Sequence, residues 1–176
     1  MNYKRNKDSY IIIFLRVLCP LWFKILDSPN KMQNMSTKPL HLQKSIKVHG
    51  SDIDVMGIVS NIVYVRWFED LRTFFLDTYL PFQEMLKQEH SPILSHTLVE
   101  YKKPLTIFDE PVGHIWVKDL SRSRWTVSME IVSDKGKHCL GEQKGYFFHV
   151  TRKRPVPIPE ELREKYEADL KRFGDE

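Results

Sequence analysis

The strongest pattern in the chain runs from Asn61 to Leu80. Its polar residues Arg66, Glu69, Asp70, Thr73 and Asp77 recur at steps of three and four, which places them on one narrow helical stripe. Ile62, Tyr64, Val65, Trp67, Phe68, Leu71, Phe74, Phe75 and Leu76 cover most of the remaining circumference, with Arg72 the main exception. A helix this apolar must be gripped on several sides, as it would be by a curved sheet. Ser60 or Asn61 can cap its start through a side-chain oxygen. Pro81 permits a turn, and Phe82 to Glu89 reads as a short second helix.

The rest has the period of strands. Trp125, Val127, Met129 and Ile131 alternate with Thr126, Ser128 and Glu130. Asp134 to Lys137, with Gly136, supplies a turn, and His138 to Val150 follows as a long strand. With Ile93 to Tyr101 and Val112 to Leu120, four consecutive antiparallel strands follow the helix. His41 to Gly50 reads as a strand ahead of it. Pro155, Pro157 and Pro159 end the sheet, and Glu160 to Phe173 reads as a charged helix forming a surface tail. The pattern predicts an α+β domain, and 176 residues suffice for one such domain rather than two.

Charge alters this picture only at the start of the chain. The formal net charge is +4, and residues 1–34 hold six basic and two acidic residues, so the remainder sums to zero. A balanced body argues against a nucleic-acid partner. Within those residues Ile11 to Leu26 is apolar but broken by Arg16, Pro20 and Lys24, a poor membrane span. Residues 1–34 therefore read as a leader, with Met32 or Met35 as the start of the folded protein, or as an amphipathic segment lying on a membrane surface. The domain proper is expected over residues 35–155, with the charged helix at 156–176. The two cysteines, Cys19 and Cys139, have no spacing that suits zinc, which points to a reducing, cytoplasmic setting without a metal.

The candidate chemistry lies just before the helix. Asp52 and Asp54, two apart, would point the same way if the chain there is extended. Loop aspartates also bond nearby amides for purely local reasons. The stretch Ser51 to Arg72, SDIDVMGIVSNIVYVRWFEDLR, resembles the signature of hotdog-fold thioesterases of the 4-hydroxybenzoyl-CoA thioesterase type. Asp52, Asp54, Gly57, Asn61, Tyr64, Phe68, Glu69 and Arg72 match that signature in register. The resemblance covers about residues 40–155.

This resemblance implies a hotdog fold, an antiparallel sheet wrapped around a central helix, that hydrolyses an acyl-CoA or an acyl carrier protein thioester without metal or redox cofactor. It makes Asp54 the catalytic carboxylate, as nucleophile or as general base towards water. Amides of Gly57, Ile58 and Val59 near the helix N-terminus could then stabilise the oxyanion, with Asn61 and Tyr64 beside the substrate. Val55, Met56, Ile58 and Tyr64 would line an acyl or aryl site. It further implies a substrate site between subunits, hence a homodimer or a homotetramer. Many members carry histidine, valine and two asparagines after the glycine, where this chain has Ile58, Val59, Ser60 and Asn61. Some bacterial relatives have a tyrosine and a histidine where Gly50 and Asn61 stand.

Other residues carry weaker signals. Glu69 is an alternative carboxylate, or one half of an ion pair on the polar stripe. Arg122 and Arg124, in the turn Ser121 to Arg124, could grip coenzyme A phosphates, or be a solvated basic turn. Lys102, Lys103, Arg152, Lys153 and Arg154 are fainter versions of that idea. His96, His114, His138 and His149 are scattered along strands without partner spacing and read as ordinary strand residues. Two rivals to hydrolysis stay open: an acyl-binding hotdog module without catalysis, and a hydroxyacyl-thioester dehydratase, which would pair a histidine with a carboxylate.

Overall fold

The computed structural model describes residues 38–174. The leader assigned to residues 1–34 and its membrane-surface alternative lie outside them. Six strands, β1 (Leu42–Ser45), β2 (His90–Tyr101), β3 (Val112–Leu120), β4 (Arg124–Ser133), β5 (Gly136–His149) and β6 (Arg154–Pro155), form one antiparallel sheet. Its order is β1, β3, β4, β5, β2, with β6 paired to β5. Three helices accompany it: α1 (Asn61–Tyr79), α2 (Phe82–Lys87) and α3 (Glu160–Gly174). The sheet curls around α1, as the resemblance implied.

The core forms where the apolar face of α1 meets the inward side of the sheet. Val63, Tyr64, Trp67, Phe68, Leu71 and Phe75 of α1 are buried against Ile115, Val117, Val127, Met129, Ile131 and Phe147. Each such side chain contributes roughly 1.5 to 3 kcal/mol on leaving water. Close approach depends on a missing side chain: a Cβ on Gly141 of β5 would sit 2.5 Å from the Phe68 ring. The polar stripe faces outward as predicted, but Ile62, expected inside, is 70% exposed. It lies on the first turn of α1, on the side turned away from the core.

Two further expectations are corrected. The first strand ends at Ser45: the Ile46 amide still donates to the Pro111 carbonyl at 2.9 Å, but Pro111 has no N–H to return the bond, and a 3-10 turn follows over Gly50–Asp52. Helix α3 is not a tail. Leu162 and Tyr166 are buried, Asp169 Oδ2 accepts the Leu40 amide at 2.8 Å, and Arg163 donates to the Ser121 carbonyl at 2.9 Å. No helix among the described residues is long and apolar enough to cross a membrane.

Candidate active site

Asp52 and Asp54 go separate ways. Asp52 ends the 3-10 turn with its carboxylate buried, taking the His49 amide at 2.9 Å and the Arg66 guanidinium from α1. Asp54 is exposed at the head of a tight loop. The pair therefore does not share an environment: Asp52 closes the 3-10 turn and is held inward, while Asp54 follows the extended Ile53 into the loop and stays exposed. Asp52 ties the loop to α1, and Asp54 is presented by it.

That loop closes on itself. Ile53 and Val59 pair as an isolated antiparallel bridge, the Asp54 amide donates to the Ile58 carbonyl at 2.8 Å, and the Gly57 amide donates to the Asp54 carbonyl at 3.0 Å. The turn needs Gly57, whose φ of +76° is costly for any residue with a Cβ. The Met56 amide donates to Asp54 Oδ1 at 2.8 Å and fixes the carboxylate's direction. Beyond the loop, the Ser60 amide donates to the Asp52 carbonyl at 2.9 Å and the Val59 amide to the Leu105 carbonyl at 2.8 Å.

Of the three amides suggested as oxyanion donors, those of Gly57 and Val59 are thus engaged, while that of Ile58 has no hydrogen-bond partner among the described residues. Ser60 occupies the position before α1 but makes no side-chain capping bond, contrary to expectation. The Val63 amide bonds the Ser60 carbonyl at 2.9 Å, and no side chain caps the first turn of α1, which lies at the positive end of the helix dipole. Asn61 begins α1 with its side chain exposed, and its carbonyl accepts the Tyr101 hydroxyl at 3.0 Å. Tyr64 is buried edge-on to Trp67 and Tyr101, and burial pushes its hydroxyl up to about 12, so it stays a neutral phenol. Val55 and Met56 stand exposed beside Asp54, and Phe108, on the segment that follows Leu105, is exposed as well.

The other candidates lie elsewhere or are engaged. Glu69 pairs with Arg72 and accepts from Gln143 Nε2 at 3.0 Å, while Arg72 donates to Gln143 Oε1 at 3.0 Å, so Glu69 belongs to a closed polar network on the flank of α1. Arg124 faces Tyr146, which faces Ile93 on β2. Tyr101, at the Asp54 end, is eight residues further along β2, about 26 Å at the rise of a strand. Arg122 and Arg124 therefore do not converge with Asp54 within one protomer. The Cys139 thiol is fully buried, and burial pushes it up to about 12, which removes it as a nucleophile. No cluster of three or more metal-ligating side chains occurs among the described residues.

Sequence reasoning passed over Leu105 and Gln143 and read His138 as an ordinary strand residue; each is fully or nearly fully buried. Gln143 alternates in phase with the inward glycines and Phe147 of β5, a weak sign of a buried polar role. Leu105 bonds the Val59 main chain, and His138 reaches the carbonyls of Lys103 and Pro104 besides the Ser133 hydroxyl; spacing carries no sign of these main-chain partners.

Residues 48–166 match the profile of the thioesterase-like superfamily. An Aquifex aeolicus protein classed provisionally as an esterase is 29% identical over 126 residues, 67% of this chain and 91% of its own. A Bacillus subtilis protein classed provisionally as an acyl-CoA thioesterase is 30% identical over 97 residues, 54% of this chain and 70% of its own. Among solved structures, a Staphylococcus aureus protein in complex with CoA superposes with a TM-score of 0.71 at 16% identity, covering 78% of this chain and 88% of that one.

Proposed function

Because this chain belongs to the thioesterase-like superfamily, we propose that it hydrolyses an acyl-CoA thioester with Asp54 as the reacting carboxylate. The observation that carries this reading is the loop itself: an exposed carboxylate and an unengaged amide, Ile58, share one closed turn at the uncapped start of α1. Attack on a thioester carbonyl places negative charge on its oxygen. Free amides at a helix N-terminus stabilise that charge, and more strongly where water is excluded. The carboxylate either attacks the carbonyl carbon and expels the thiolate, with water then cleaving the mixed anhydride, or takes a proton from an attacking water. Exposed Val55 and Met56 supply an apolar approach for the acyl or aryl group.

Coenzyme A as the thiol carrier is supported by the CoA-bound Staphylococcus aureus neighbour and by the name of the Bacillus subtilis relative. A homodimer is supported by β2, an edge strand whose Leu98 is 61% exposed and whose Ile93 and Tyr101 are also exposed, next to exposed Ile62. A second subunit on this edge would cover apolar surface and enclose the Asp54 loop.

Product analysis on a panel of short, medium, long and aromatic acyl-CoA substrates tests the reading. Release of free thiol and acid supports hydrolysis. An enoyl product from hydroxyacyl-CoA would move the assignment to dehydration, and binding without turnover would leave an acyl-binding module.

A further inference from the structure

His138 stands outside the Asp54 loop, yet it is 1% exposed, and its carbonyl and both ring nitrogens are engaged. Its carbonyl accepts the amides of Lys102 at 2.8 Å and Lys103 at 3.3 Å. Its Nδ1 lies 3.3 Å from the Lys103 carbonyl and 3.2 Å from the Pro104 carbonyl. Two acceptors around one ring nitrogen fix the tautomer: Nδ1 carries the proton, and Nε2 accepts the Ser133 hydroxyl at 2.7 Å. Ser133 is held in turn by the Lys135 amide at 3.1 Å. One residue of β5 therefore clamps the segment leaving β2 from both its main chain and its side chain.

That segment leads directly to the site. Leu105, next after Pro104 and fully buried, accepts the Val59 amide at 2.8 Å, and its main chain lies against the Tyr64 hydroxyl. Val59 closes the Ile53 bridge that shapes the Asp54 loop, and Tyr64 lies on the first turn of α1. We propose that His138, oriented by Ser133, is a positioning residue for the thioesterase site: by holding the carbonyls of Lys103 and Pro104 it fixes Leu105, and through Leu105 the register of the Asp54 loop against the start of α1. The inference rests on the hydrolase reading for its catalytic consequence, but its structural part stands independently. Displacing a reacting group by about 1 Å can cost a hundredfold in rate. A lost clamp therefore acts on turnover more than on folding.

The test compares the full-length wild type with His138→Phe, His138→Gln and Ser133→Ala, with Val127→Ala as a core control. Amide exchange at Val59 and Asp54, melting temperature, and kcat and KM for acyl-CoA are measured for each. The expected result is faster exchange at Val59 in His138→Phe and, to a lesser degree, Ser133→Ala. It includes a fall in kcat of about tenfold to a hundredfold in His138→Phe with KM changed less than threefold, and partial recovery in His138→Gln, whose amide can still donate to the carbonyls. Val127→Ala should lower the melting temperature without changing Val59 exchange or kcat. If His138→Phe does not fold, Ser133→Ala carries the decision by the same readouts. Unchanged Val59 protection in the folded variants, or a kcat loss that merely follows melting temperature across all four, would overturn the proposal. A wild type inert on every thioester would sink the hydrolase reading, while the exchange data would still decide the role of His138.

Discussion

The Asp54 amide bonds the Ile58 carbonyl at 2.8 Å, and that bond closes the loop on which the exposed carboxylate and the unengaged Ile58 amide both sit. The two groups cannot move apart without opening the turn. A site that needs an attacking carboxylate and an oxyanion donor in fixed relation gains that relation from local backbone geometry.

Gly57 makes the turn attainable. Its φ is +76°, and a Cβ placed on it would meet nothing within 4 Å, so the cost of Gly57→Ala is conformational and not steric. That cost is about 1 to 2 kcal/mol. Chemical denaturation should show a loss of that size, and steady-state kinetics should show a larger proportional loss in kcat because the loop relaxes where the chemistry occurs.

Asp52 serves the same loop from behind. Its buried carboxylate joins the His49 amide to Arg66 of α1, and an anionic acceptor is stronger than a neutral one. Asp52→Asn should cost about 1 to 2 kcal/mol in urea unfolding, the range for losing a charged hydrogen-bond partner. An unchanged unfolding midpoint would show that the Arg66 bond is no more than a surface contact.

Much of this architecture was legible in the sequence, and the parts that were not share a cause. The steps of three and four from Arg66 to Asp77 predicted α1, and the alternation from Trp125 to Ile131 predicted β4, because burial against a single partner face imprints a period. Gly57 and Asp54 were found through the signature that surrounds them. Separation of Asp52 from Asp54 was not foreseen, because a 3-10 turn over three residues leaves no period to read. Docking of α3 was hidden by its charge: only Leu162 and Tyr166, four apart, reach the core, and the rest of the helix is exposed or half-buried. Leu105 escaped notice and His138 read as an ordinary strand residue, since the partners that tie them to the loop are main-chain groups, which every residue has.

Asp109 gives the fold a pH dependence. The Lys135 ammonium at 2.5 Å and the Thr106 amide at 2.7 Å hold its carboxyl down to about 2, below the ordinary carboxylate value. A carboxyl lowered in the folded state contributes stability above its unfolded value near 4, and that contribution is lost as pH falls from about 4 to about 2. Lys135 is more than half exposed, so screening limits the contribution to about 1 kcal/mol. Asp109→Asn should therefore be less stable than the wild type at pH 7 by that amount and equal to it near pH 2, as followed by denaturant unfolding across the range.

The most direct test of Asp54 is thiol release from the best acyl-CoA in the panel by wild type and Asp54→Asn, with circular dichroism to show that both are folded. An exposed side chain on a closed loop can lose its charge without disturbing the core, so fold and activity should separate. In Asp54→Asn kcat should fall about a hundredfold or more, with melting temperature nearly unchanged. A folded Asp54→Asn that retains wild-type turnover would contradict the role of Asp54 as the reacting carboxylate.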